Sequence, residues 1–253
     1  MTEQLKIFFT ALQFYTRLPI PKWAEYSQNH FDRSTRYFPL IGWIVGGFGA
    51  LIFIMADKFL PQSVSLLLSM AATILLTGAF HEDGFADFCD GFGAGWTKQQ
   101  ILDIMKDSRI GTYGAGGIFF MLFLKFHLLS ELGARFLPLA LIMGHSVSRA
   151  AILVFRQTHG YVRDNDDAKA KPMPQNVSKK DCWVGIILGS LPLVLLPLPM
   201  ILTVIVFVLL TEFFFSQWIV RRIGGYTGDC LGATQQLCEL ACYLGIIFSW
   251  KFI

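Results

Sequence analysis

The chain has 253 residues, of which 54% are hydrophobic and 15% charged, with 24 Phe and a net charge of +3. A soluble domain carries about 25% charged residues, so this composition argues against one. The apolar surplus is gathered into long runs, which points to an all-α polytopic membrane bundle built as one domain over residues 1–253. The small net charge singles out no class of partner, and nothing in the pattern asks for nucleic acid.

Residues 5–16 read as a short N-terminal amphipathic helix, halted by Pro19 and Pro21. The run MTEQLKIFFTALQFYTRLPIP has no small-residue cleavage site, so no removable signal peptide is expected. Seven spans follow, at about 38–55, 64–80, 111–130, 136–155, 182–197, 200–220 and 236–250. LPLVLLPLP sits between the fifth and sixth, and no repeat or long linker divides the chain. The five cysteines, Cys89, Cys182, Cys230, Cys238 and Cys242, form no CxxC pair and no zinc spacing. They are expected to be free, small apolar side chains.

The basic residues orient this drawing. With the N-terminus inside, 5 Lys and Arg fall before the first span, 3 between the second and third, 6 between the fourth and fifth, and 2 after the sixth, making 16 of 21. Only Lys58, Arg135 and Lys251 fall outside, and Lys125 and Arg149 lie within spans. Such asymmetry places the N-terminus and the even-numbered connections in the cytoplasm of an inner-membrane protein.

HEDGFADFCDGFG, residues 81–93, therefore sits at the cytoplasmic mouth of the bundle. In a helix, Asp83, Asp87 and Asp90 stand at i, i+4 and i+7, within about 60° of one another and spread over about 10 Å. Gly84 and Gly91 flank that face, where a ligand or another helix can approach. Three crowded carboxylates repel unless a cation joins them, and Mg²⁺ prefers such hard oxygen ligands. The bland alternative is a solvated acidic helix start favoured by the helix dipole. Ionisable groups at membrane depth more often serve function. Zinc fits less well, because His81 and Cys89 lie off the Asp face. His81 reads as a helix-start hydrogen-bonding residue, or as a base or phosphate contact.

Two further clusters share the cytoplasmic side. In MKDSRIGTYGAGG, residues 105–117, Lys106 and Arg109 offer anion contacts. Gly111, Gly114, Gly116 and Gly117 would expose backbone N–H groups at a helix start, which favours phosphate. An ordinary basic loop is the alternative. In RRIGGYTGDCLGA, residues 221–233, Asp229 beside Gly228 is either the N-cap of the last span or a further metal or substrate ligand. Arg149, buried in a span, needs an aspartate or a phosphate as its partner. The polar loop from Arg156 to Asp181 reads as solvated, with basic residues able to hold anionic lipid or a phosphorylated ligand.

Acidic helix, basic residues and glycine turns together suggest metal-assisted chemistry on a diphosphate. GAFHEDGFADFCDGFGAG closely resembles the G-x-H-x-D-G-x-x-D-x-x-D-G signature of the cobalamin synthase family, the adenosylcobinamide-GDP ribazoletransferases. TRLPIP, RYFPLIGWIVG, IMKDSRIGTYG, SVSRA and GGYTGDCLGA resemble that family's other blocks, in its order. One departure is Glu82, where the family usually has an apolar residue, and its position off the Asp face argues against metal binding. The resemblance implies that the ribose 3′-OH of α-ribazole, or of its 5′-phosphate, attacks the phosphate on the corrinoid arm of adenosylcobinamide-GDP. GMP leaves, and adenosylcobalamin or its 5′-phosphate forms with Mg²⁺. Asp83, Asp87 and Asp90 would then hold the metal, with Asp229 completing the site or taking the proton, and His81 near the reacting groups. Lys106, Arg109 and Arg149, oriented by Asp107, would meet phosphate or guanosine, with Gly84, Gly91 and Gly228 lining the approach. A homo-oligomer, and association with other late enzymes of that pathway, stay open. A CDP-alcohol phosphotransferase would have Arg after Ala86, where Asp87 stands, and a prenyltransferase would have a second paired-acid motif. A transporter would place acids near mid-bilayer, where Glu212 is the one to watch, and would show repeat symmetry.

Overall fold

The computed structural model describes residues 3–21, 23, 27–162, 174 and 177–252. Lys22, Arg163, Lys169 and Lys171 from the basic tally lie outside the described residues, as does most of the Arg156–Asp181 loop. The described residues are helical, with one isolated β-bridge between Tyr161 and Tyr226.

An amphipathic helix opens the chain, α1 (Glu3–Tyr15), and α2 (Gln28–Ser34) leads through a 3-10 turn into α3 (Phe38–Ala56). Next come α4 (Gln62–Thr77), α5 (Phe80–Ala94), α6 (Lys98–Lys106), α7 (Thr112–Ser130) and α8 (Gly133–Thr158). The chain ends with α9 (Lys179–Ser190), α10 (Leu198–Ile223) and α11 (Gly228–Phe252). Core packing centres on α3, α8 and α11. A Cβ on Gly42 of α3 would run into the His145 carbonyl of α8, so the two backbones touch, as small residues allow between helices in lipid.

Five helical segments are long and apolar enough to cross a membrane: 28–56, α7, α8, α10 and α11. The pair α4 and α5, bent by 88°, makes six if counted as one span. The seventh expected span, 182–197, is not among them. Residues 182–197 are not one helix, because α9 stops at Ser190 and Leu191–Leu195 form a 3-10 turn. Pro192 and Pro197 bring no N–H to an α-helical ladder, which ends α9 after about 18 Å. The last helix starts at Gly228, eight residues before the expected 236, because Thr227 caps it by accepting from Cys230 N at 3.3 Å.

The bend between α4 and α5 positions the acidic motif. Gly78 and Ala79 both take the left-handed conformation, with φ of 68° and 57°. The N-terminal segment braces that turn. Arg17 N donates to the Leu76 carbonyl at 2.8 Å, and the Arg17 guanidinium fills the side of Gly78 where a Cβ would stand. The Phe14 and Tyr15 rings meet Phe80 edge-on, with centroids 5.5 and 5.9 Å away. Beyond the bend, α5 crosses the N-terminal ends of α7 and α11. Its Phe88 and Phe92 pack on Trp218, near the C-terminal end of α10. The acidic helix thus lies across one end of the bundle, where three apolar helices begin or finish.

Candidate active site

The Asp face of α5 grades from solvent to core. Asp83 is exposed, Asp87 half-buried and Asp90 buried. Asp90 Oδ2 accepts from Gly111 N at 2.7 Å and Oδ1 from Gly114 N at 2.8 Å, so this carboxylate closes the N-terminus of α7. A Cβ at either glycine would collide with it. The N–H groups expected to cradle phosphate are therefore, at these two positions, given to a side chain of the same protein. Asp90 positions the turn, while Asp83 and Asp87 remain on the accessible part of the face.

Asp229 arrives at this face from α11. Its Cα lies 3.1 Å from the point where a Cβ on Gly84 would sit, and Gly232 packs on Gly84 and His81 from the next turn. Two glycines therefore let α5 and α11 meet backbone to backbone, one residue from Asp83 and three from Asp87. Asp229 is not the N-cap, since Thr227 performs that task. The turn before it is fixed by Val162 N donating to Tyr226 O and Tyr226 N to Gly160 O, both at 3.0 Å. Gly84 and Gly91 admit helices rather than ligand: Gly91 faces Ile101 and Met105 of α6. Gly228 opens α11 beside Asp229.

Other expected site residues lie elsewhere. His81 turns inward and is 3% exposed, with its ring 5.9 Å from that of Phe38 and its Nε2 without a partner. That burial removes it from the solvent-facing acids. Among the described contacts Arg149 makes no ion pair with an aspartate. It is buried, donates from Nη1 to the His145 carbonyl at 2.7 Å, and lies 5.6 Å over the Phe38 ring. Lys106 is exposed at the end of α6. Arg109 is exposed as well and forks onto Asp107, with Nη2 to Oδ2 at 2.6 Å and Nε to Oδ1 at 3.0 Å. Those hydrogen bonds hold the Asp107 carboxyl down at about 2.

A buried polar network escaped the sequence reading. Glu239 of α11, fully buried, takes an ion pair from Lys125 of α7 at 2.5 Å, the Tyr243 hydroxyl at 2.8 Å and Gln235 Nε2 at 2.9 Å. Lys125 and Tyr243 meet its Oε1, Gln235 meets Oε2, and His145 Nδ1 stands 3.7 Å from Oε2. One turn before it, Gln236 donates to Glu82 Oε1 at 2.9 Å, which explains why an acid departs from the apolar pattern after His81. Lys125 inside a span was the available signal, because a buried cation demands an acid. Glu212, also buried, is not part of this network among the contacts described.

Mg²⁺ keeps several waters and takes one or two carboxylates together with substrate phosphates. Among the described residues no three His, Cys, Asp or Glu side chains converge to hold a metal. Asp83 and Asp87, on the accessible part of the face, are hard oxygen donors of the kind such an ion takes. Asp90, with both oxygens on backbone N–H groups, fits a supporting place.

Residues 7–247 match the cobalamin-5-phosphate synthase family. The chain belongs to that family. It is 44% identical to the adenosylcobinamide-GDP ribazoletransferase of Shewanella oneidensis, over 97% of this chain and 95% of that protein. It is 46% identical to the protein of the same name from Shewanella woodyi, over 98% of this chain and 97% of that one. No solved structure matches. Membership accounts for the ordered blocks: the TRLPIP segment braces the α4–α5 bend, the IMKDSRIGTYG glycines receive Asp90, and GGYTGD delivers Asp229 to Gly84.

Proposed function

We propose that this chain performs the ribazole transfer after which its relatives are named, at the cytoplasmic face of the inner membrane. The corrinoid phosphate of adenosylcobinamide-GDP passes to the ribose 3′-OH of α-ribazole or its 5′-phosphate. A P–O bond to ribazole forms, the P–O bond to GMP breaks, and the hydroxyl proton leaves. The observation that carries this reading is the convergence of two acidic segments at one end of the bundle, where Gly84 brings Asp229 against the Asp83–Asp87 face. Asp83 and Asp87 would hold Mg²⁺. That ion, when bound, neutralises the diphosphate and stabilises the leaving phosphate. Asp107 takes Nε and Nη2 of the exposed Arg109 beside the glycine turn, leaving its Nη1 side and its charge for the anionic GDP portion. Asp229, in the first turn of α11, either completes the Mg²⁺ site or takes the attacking proton. The basic residues of the inside connections attract both the anionic lipid surface and the anionic substrate.

The test is purified protein in liposomes with adenosylcobinamide-GDP and α-ribazole. Release of GMP with matching cobalamin supports the proposal. GMP release that is indifferent to α-ribazole would instead mean hydrolysis and overturn it.

A further inference from the structure

We propose that Glu239 is a positioning residue for the transfer reaction, acting through a closed loop of three helix-to-helix ties that sets the rotation of the acidic helix. This rests on the reading of α5 as the face that receives the diphosphate. The first tie joins α5 to α11, through Gln236 Nε2 on Glu82 Oε1 at 2.9 Å. The second joins α11 to α7, through Lys125 on Glu239 at 2.5 Å. The third joins α7 back to α5, where Asp90 receives Gly111 N and Gly114 N at 2.7 and 2.8 Å. Between the ties run rigid helix segments, about 12 Å of α5, about 4.5 Å of α11 and about 16 Å of α7 at the α-helical rise. Every tie uses a charged acceptor, two of them are nine-tenths buried at both ends, and hydrogen bonds to charged groups are the stronger kind.

The geometry dictates a consequence for Asp83 and Asp87. Glu82 and Asp90 bracket them on α5, and both bracketing residues are anchored to different helices. The helix can therefore neither roll nor slide without breaking a tie. Lys125–Glu239 is the tie that keeps the two anchors in register, because it joins α7 to α11 directly. Tyr243, Gln235 and, through Gln235, Ser148 of α8 hold the Glu239 carboxylate in place from the remaining sides, each at 2.8–2.9 Å. Charge considerations agree. Lys125 and Arg149 balance Glu239 and Glu82 within the same buried region, so the network is self-neutral when both acids are ionised and needs no bound ion of its own.

A native reporter exists for this loop. Cys89 of α5 is half-buried against Gly117 of α7, whereas Cys182, Cys230, Cys238 and Cys242 are buried. Its reactivity with a neutral maleimide therefore reads the α5–α7 seam without reference to catalysis. The decisive variant is Glu239→Gln with Lys125→Met, which removes the tie and leaves no uncompensated charge. Gln236→Met is the second, opening a different side of the loop without altering charge. In each, Cys89 labelling should rise about fivefold through local loosening. Turnover should fall about tenfold, with KM for the nucleotide substrate within about twofold, as for loss of alignment rather than loss of binding. Wild-type labelling and wild-type kcat in a folded double variant would overturn the proposal, as would wild-type values in Gln236→Met should the double variant fail to fold. Asp83→Asn, run alongside, separates the two readings. If it turns over normally, the acidic face is not the transfer site, yet the labelling result still decides whether the loop exists.

Discussion

At the level of single residues, the four site aspartates divide by burial and partner. Asp90 is a buried acceptor for the start of α7, so Asp90→Ala leaves two N–H groups of that helix without partners. The expected cost is about 1–3 kcal/mol of stability, read as a lower unfolding temperature in detergent along with reduced turnover. Asp229 and Thr227 make a sharper contrast, because Thr227 stands just before α11 and caps it while Asp229 lies in its first turn. Thr227→Val should cost about 1 kcal/mol with kinetics nearly intact. Asp229→Asn should leave stability unchanged and lower turnover, and its effect should fall short of adding to that of Asp87→Asn, as for parts of one unit. Additive, mild effects of Asp229→Asn would remove it from the site. The acidic periodicity of Asp83, Asp87 and Asp90 is legible in the sequence, since it needs only the helical repeat. Which of the three is used internally is not, because the partner N–H groups lie more than twenty residues away. For the same reason Glu239 went unread: pairing with Lys125 depends on how α7 and α11 face each other.

Asp107 adds a pH argument. Its carboxyl is held down at about 2 by Arg109, below its ordinary value near 4. A depressed carboxyl contributes its pairing above the ordinary value and loses it as pH falls through the lowered one. The Asp107–Arg109 fork therefore stays formed throughout the neutral and mildly acidic range. Asp107→Asn should leave the acid limb of a pH–rate profile unmoved above pH ~4, while raising KM for the nucleotide substrate. A displaced acid limb would show that Asp107 itself titrates in turnover.

Among the helices, the α4–α5 bend decides where the chemistry sits. Gly78 and Ala79 are consecutive left-handed residues, and a non-glycine there costs about 1–2 kcal/mol. Ala79→Gly should accordingly preserve or raise the unfolding temperature. Gly78→Ala should lower it, since it adds strain and a Cβ against the Arg17 guanidinium. Equal effects from the two changes would mean that the bend is not held by these angles. The apolar run before HEDGFADFCDGFG announces a helix that ends at the membrane edge. The right-angle turn does not follow from hydropathy, because Ala79 carries no signature of a left-handed position. Proline, by contrast, is informative: LPLVLLPLP marks the break that ends α9 at Ser190, so the expected span at 182–197 is a short helix followed by a 3-10 turn.

For the whole molecule, the class was plain from composition, since long apolar runs with so few charges have no soluble solution. The basic residues carry the expected orientation, which a topology reporter tests. A reporter fused after Ile253 should read external, because the ends of α8 and α10 and the start of α11 meet at the α5 face, so that α9 and its 3-10 turn carry the chain back across between them. A cytoplasmic reading would contradict that path. The same reporter placed near Lys58 should also read external. The most direct measurement of the central claim, that the α5 acids hold Mg²⁺ on the diphosphate, is a Mg²⁺ titration of GMP release in liposomes by the wild type, Asp83→Asn and Asp87→Asn. The expected result is wild-type release that vanishes without divalent cation, with each variant losing at least about a hundredfold in turnover and needing more Mg²⁺ to reach half-maximal rate. Mg²⁺-independent release by the wild type, or near-normal release by Asp87→Asn at the same Mg²⁺ concentration, would contradict it.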